Sequence, residues 1–95
     1  MATSKLQDRV AVPADVLVSE VGGEMVLLNL KTEQYFGLDE VGAQMWKTLA
    51  ASNSVQQALD RLTAEYDAQP AELEHDLNDL ISRLVEHGLL EVCQG

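Results

Sequence analysis

His75 and His87 are the two imidazoles of this chain, and twelve residues separate them. A metal pair on one helical face takes i, i+4 spacing, and no His-Glu-x-x-His run or second cysteine completes a ligand set. Both read as solvated histidines, and His87 suits the negative end of a helix. Cys93 lies in the tail without a nearby histidine and reads as an incidental thiol rather than a nucleophile. Ser52 and Ser54 lack a Gly-x-Ser-x-Gly elbow and look like loop and cap residues. Gly22, Gly23, Gly37 and Gly42 do not form a phosphate-cradling loop at a helix start. No catalytic residue, no metal ligand and no cofactor is expected, so the chain is read as a protein other than an enzyme.

Two constellations fit binding better than catalysis. Glu72, Glu74, Asp76 and Asp79 crowd one stretch. They read either as a solvated face near a helix N-terminus or as part of a recognition surface. Asp76 and Arg83 are seven residues apart, two helical turns on nearly one face. With Leu80 and Leu84 beside them, they can rim an apolar groove and fix the direction of a bound chain. Tyr35 has two readings, as an ordinary aromatic at the core edge or as a clasp beside an open strand edge.

Elements must place these residues. Residues 10–12 alternate apolar and small before Pro13, which ends a short extended piece. Residues 16–21 are β-branched and apolar, Gly22-Gly23 makes a tight hairpin turn, and residues 24–30 return. Period two puts Val26, Leu28 and Leu30 on one face of that return strand, with Leu27 on the other. Residues 34–38 make a third strand, with Phe36 and Leu38 on one side and Tyr35 on the other. Asp39 N-caps a first helix that runs to about residue 51, with Val41, Met45 and Leu49 in line and Trp46 beside them. Ser54 and Gln57 form a capping box for a second helix lined by Val55, Leu59, Leu62 and Tyr66. Pro70 opens a third, with Leu73, Leu77, Leu80 and Leu84 as its main stripe and Ile81 and Val85 as a flank. Gly88 stands at its C′ position, and residues 89–92 form a final extended piece. The fold class is α+β, winged helix-turn-helix-like, with a three-stranded antiparallel sheet followed by three helices. Three strands cannot enclose a core, so a strand edge is left open.

Ninety-five residues fit one domain with a small core. The formal net charge of -10 disfavours nucleic acid and anionic membrane as partners. The second helix, where a winged helix reads DNA, carries Asp60, Glu65 and Asp67 against Arg61 alone. One cysteine forms no internal disulfide, which suits a reducing cytoplasm. No apolar run approaches the roughly 20 residues of a membrane span.

Residues 26–42, Val-Leu-Leu-Asn-Leu-Lys-Thr-Glu-Gln-Tyr-Phe-Gly-Leu-Asp-Glu-Val-Gly, resemble the PqqD-like family. Its members are leader-recognition domains, or RiPP recognition elements, for ribosomally made and then modified peptides. Residues 73–77 and 84–90 are similar to the family's third helix and Gly-Leu ending. The resemblance covers roughly residues 16–92, and the chain is expected to divide into a flexible segment at 1–12, a leader-recognition domain at 13–92 and a tail at 93–95. It implies that a precursor's leader peptide adds as a further antiparallel strand beside the third helix, by β-augmentation. The implied leader-binding residues are Thr32, Glu33, Gln34, Tyr35, Phe36, Gly37, Asp76, Leu80, Arg83 and Leu84, with Ile81 and Val85 as the competing flank. The stand-alone length resembles both the chaperone of pyrroloquinoline quinone synthesis and the leader-binding subunits of lasso-peptide systems. Asn29-Leu30-Lys31-Thr32-Glu33 stands where the quinone-pathway proteins carry a Pro-Glu-Gly-like stretch, so the lasso type is favoured. Its implied partners are the leader, whose tyrosine and proline enter the groove, and a leader peptidase or other maturation enzyme. The alternatives are the quinone-type chaperone and a degenerate winged-helix regulator of DNA or protein.

Overall fold

A computed structural model describes residues 8–67 and 69–93. Its elements run β1 (Arg9–Ala11), β2 (Val16–Val21), β3 (Glu24–Asn29), β4 (Tyr35–Leu38), α1 (Glu40–Ala51), α2 (Val55–Glu65), α3 (Pro70–Glu86) and β5 (Glu91–Cys93). β2, β3 and β4 form an antiparallel sheet in that order, and the three helices follow it. This is the expected α+β class. Gly22 and Gly23, at φ of 61° and 86°, make the hairpin turn, whose positive φ angles glycine adopts without strain.

The N-terminal segment differs from expectation. Residues 1–7 of the expected flexible stretch lie outside the described residues, as do 94 and 95 of the expected tail. Residues 9–11 are not loose: β1 pairs antiparallel with β5, with Val10 opposite Val92. Asp8 is buried, and its carbonyl accepts the Val55 N–H at 2.8 Å. Half-buried Val10 and Val92 pack on the core, so the alternation that made this piece extended also gives it an apolar side to dock.

The inner face of β3, which alternation left open, is the Leu27 one. Met25, Leu27 and Asn29 are buried, while Val26 and Leu30 are exposed. Both faces of this strand are apolar, so period two defines two faces without choosing between them. Trp46, Ala43 and Leu84 cover the Leu27 side. The other face leaves Leu17, Val21, Val26 and Tyr35 exposed.

The helix starts follow the sequence closely. Asp39 Oδ1 accepts the Gly42 N–H at 2.8 Å, and Ser54 Oγ accepts the Gln57 N–H at 3.1 Å. Gln57 reaches back one residue further than a standard capping box, taking the Asn53 N–H at 2.7 Å. In α1, Val41 is half exposed rather than in the core row with Met45 and Leu49. In α3 the buried stripe is Leu73, Leu77, Ile81 and Leu84. Ile81 therefore belongs to the stripe and Leu80 to its margin. At 3.6 residues per turn, Asp76, Asp79 and Arg83 lie beyond Leu80 on that side.

Gly88 ends α3 at φ 70°, and a Cβ there would meet Asn29 Nδ2 at 2.9 Å. Gly88→Ala is expected to cost roughly 1–3 kcal/mol, from left-handed strain plus the clash. A thermal melt should fall by about 5–15 °C. An unchanged melting temperature would show that this end of α3 relaxes freely.

Candidate functional site

β4 is an edge strand: it pairs with β3 and, among the described residues, with no other strand. The β1–β5 ladder is separate, so the protein's own described backbone does not occupy this margin. The Asn29 N–H donates to the Gln34 carbonyl at 2.8 Å. By the alternation of an antiparallel ladder, Phe36 and Leu38 then direct their main-chain groups toward β3. Tyr35 and Gly37 direct theirs to the open side. Unpaired main-chain groups on an edge are a template for another strand.

A groove of about 460 Å³ runs beside this edge. Phe36, Gly37 and Leu38 line it from β4, and Asp76, Asp79, Leu80 and Arg83 from α3. The start of α1 closes the end through Asp39, Val41, Gly42 and Met45. Leu38 and Met45 are almost fully buried and form its apolar base. Its rim is ionic. Arg83 Nε lies 3.2 Å from Asp79 Oδ2, in an i, i+4 pair with both side chains more than half exposed. Such a pair adds little to stability, but it holds a cation at the mouth.

The structure brings together Phe36, Gly37, Asp76, Leu80 and Arg83 of the expected site. The flank of α3 that faces β4 is the Leu80 one, which the sequence left open against Ile81 and Val85. Leu84 does not belong: it is fully buried under the sheet with Leu27 and Trp46. Thr32, Glu33 and Gln34 precede the strand instead of extending it. The N–H groups of Lys31 and Thr32 are taken by Asn29 Oδ1, and that of Glu33 by the Asn29 carbonyl at 2.7 Å. Those donors serve the turn and are spent. Tyr35 is 73% exposed on the outer face of the sheet, so it is not a core-edge aromatic. Phe36 meets His87 edge-on, with ring centroids 5.4 Å apart.

Sequence reasoning missed Asp39, Val41, Gly42, Met45 and Asp79 as groove residues. Asp79 had a signal, being one turn from both Asp76 and Arg83. The α1 residues had a weaker one: Asp39 caps α1 directly after Leu38, so the first turn of that helix must abut the strand end.

The groups first considered for chemistry are dispersed. His75 is exposed on α3, and His87 ends that helix with Nδ1 2.8 Å from the Arg83 carbonyl. Ser52 Oγ donates to the Thr48 carbonyl at 2.5 Å. Among the described residues no group of three His, Cys, Asp or Glu is placed to hold a metal ion. No described helix is long and apolar enough to cross a membrane.

Comparison with known proteins points one way. The sequence model of the family described as coenzyme PQQ synthesis protein D (PqqD) matches residues 24–90. Among solved structures, TbiB1 in complex with the TbiA(β) leader peptide is 35% identical, with a TM-score of 0.78 over 84% of this chain and 93% of that one. A lasso peptide synthetase B1 complexed with its leader peptide has the same TM-score, at 24% identity, over 87% of this chain and 98% of that one. This second likeness is one of fold. No curated protein sequence matches the chain.

Proposed function

Because the chain belongs to the PqqD family, we propose that it is a RiPP recognition element of the lasso type. It binds a precursor's leader peptide as a fourth antiparallel strand on β4 and presents it to a leader peptidase or other maturation enzyme. The observation that carries this reading is an edge of β4 that no described strand pairs, beside an apolar groove. The 35%-identical neighbour is itself a leader-peptide complex. Main-chain pairing supplies general affinity, and pockets for alternate side chains supply selectivity. Side chains of the guest on the inner face enter the groove over Leu38, Met45 and Leu80. Those on the outer face continue the exposed apolar surface of Leu17, Val26 and Tyr35, which a processing enzyme can read together with its substrate. The role is binding and presentation in the cytoplasm, without catalysis: holding the leader raises the effective concentration of its core at the enzyme. The exposed Asp60 and Glu65 of α2 repel phosphate, which argues against a DNA regulator.

Titration with a synthetic leader peptide, followed by backbone amide resonances, tests the reading. The largest shifts are expected at residues 35–38 and along the 76–83 side of α3. Perturbation confined to the β2 edge would overturn it. Arg83→Glu probes the rim. Reversing this exposed charge should change stability by less than about 0.5 kcal/mol. It should weaken leader binding about 3–10-fold at low salt and less at 1 M salt, where the Debye length is about 3 Å. Unchanged affinity in the folded variant would remove Arg83 from the site.

A further inference from the structure

We propose that Asn29 is a positioning residue for the guest strand: it clamps the turn entering β4 to the end of α3 and so sets the spacing between the two walls of the groove. This rests on the leader-binding reading and adds a residue that touches no leader. Asn29 is more than nine-tenths buried at the end of β3. Its Oδ1 accepts the N–H groups of Lys31 and Thr32 at 2.9 and 3.1 Å. Its Nδ2 donates to the Gly88 carbonyl at 2.8 Å, across 59 residues of sequence. Its own N–H and carbonyl pair with Gln34 and Glu33. One amide therefore ties three remote or neighbouring backbone groups into a unit.

Three further features fit a clamp. The close approach needs glycine at 88, since a Cβ there would strike Nδ2. The same turn holds Glu33 at φ 62°, a left-handed conformation that a non-glycine residue keeps only where its surroundings impose it. Phe36 contacts His87 at this end as well, one residue from Gly88.

The consequence follows from the shortness of β4. It has four residues and, among the described residues, one strand partner. Its far end is held by the Asp39 cap of α1, and its near end by the Asn29 turn. The groove's other wall is the Asp76–Arg83 stretch of α3, and Gly88 closes that helix five residues further on. A guest strand needs donors and acceptors within about 2.7–3.2 Å and near-linear. A site of that kind works when its walls are held to about 0.5 Å. Asn29 holds both walls at once.

Asparagine is the side chain this demands, because the clamp needs an acceptor and a donor on one short planar group. Asn29→Asp separates the two halves. The carboxylate still accepts from Lys31 and Thr32, so the turn survives. It cannot donate to Gly88, and it sets an anionic oxygen against a carbonyl oxygen.

The test compares Asn29→Asp with Leu62→Val, a core change in α2 that lowers stability at a residue that neither lines the groove nor belongs to the clamp. Two readouts are taken on each folded variant: amide hydrogen exchange at Phe36 and Leu38, and affinity for the TbiA(β) leader peptide as probe. Asn29→Asp should speed exchange at those amides by about tenfold relative to α2 amides, and weaken peptide binding by about the same factor. Leu62→Val should lower the melting temperature and leave peptide affinity within about twofold. Equal effects of the two variants on β4 exchange and binding would reduce Asn29 to general stability and overturn the clamp. So would an exchange pattern in Asn29→Asp that matches the parent. The exchange arm needs no guest. Silence of the parent chain toward the peptide counts against the leader reading alone.

Discussion

Gly37→Pro is expected to weaken leader binding by about 100-fold, near 2.7 kcal/mol, in a protein that still folds. Gly37 turns its N–H to the open side of β4, so proline removes a donor that no described strand uses and only a guest would. Proline is tolerated on such an edge. Space is also available, because a Cβ at Gly37 would meet nothing within 4 Å. The cost to the fold should stay near 1 kcal/mol, for fixing φ in a strand. The cost to binding is larger: one main-chain hydrogen bond is lost, at about 0.5–1.5 kcal/mol, and the ring obstructs the approach of the guest backbone. Gly37 has neither a left-handed φ nor a crowded neighbour, so the isolated fold gives no reason for a glycine there. A closely approaching second backbone does. Val18→Pro is the matched control. The Leu30 N–H donates to the Asp15 carbonyl, which by alternation turns Val18 toward the other open edge, that of β2. It should cost the fold at least as much and leave leader affinity unmoved. Calorimetric titration of both variants decides which edge is used, and equal losses would end the β4 assignment.

Leu80 and Leu84 are one helical turn apart on α3, and their substitutions are expected to fail in opposite ways. Leu84 is fully exclosed from solvent beside Leu27, Trp46 and Leu89. Leu84→Ala should cost about 2–5 kcal/mol in lost transfer energy and residual cavity. For 95 residues the whole stability is roughly 5–14 kcal/mol, so this is a large fraction. The melting temperature should fall by on the order of 15 °C, while the fraction that stays folded still binds leader. Leu80 is half-buried and lines the groove. Leu80→Asp places a carboxylate where solvent still reaches it, so the fold should lose only about 1–2 kcal/mol. Leader affinity should drop by more than about tenfold, because a guest side chain would then bury that charge without a partner. Unfolding by urea and titration with leader peptide separate the two. Normal binding by folded Leu80→Asp would show that the guest does not enter the groove.

Much of this arrangement was legible in local chemistry. The Gly22-Gly23 turn, the Asp39 and Ser54 caps, Pro70 at the start of α3 and Gly88 at its end each act within a few residues, so they can be read without the fold. The open edge followed from strand count, and the β1–β5 pieces were visible as extended segments without their pairing. The candidate site was half legible. Phe36, Gly37, Asp76, Leu80 and Arg83 converge on the groove, while Leu84 proved to be core and residues 32–34 a closed turn.

What the amino-acid sequence determined alone is the set of elements, their order and their ends, because propensity, capping and turn chemistry are local. Tertiary packing decided which side of each element is inside. β3 is apolar on both faces and α3 carries a wide apolar stripe, so alternation and helical period leave two solutions for each. The choice was made when Trp46 and Leu84 covered Leu27 instead of Val26. That same choice turned Leu80 toward β4 and brought Asn29 against Gly88. Contacts of this kind join residues far apart in the chain, and burial free energy depends on the neighbour that arrives, which no single segment encodes.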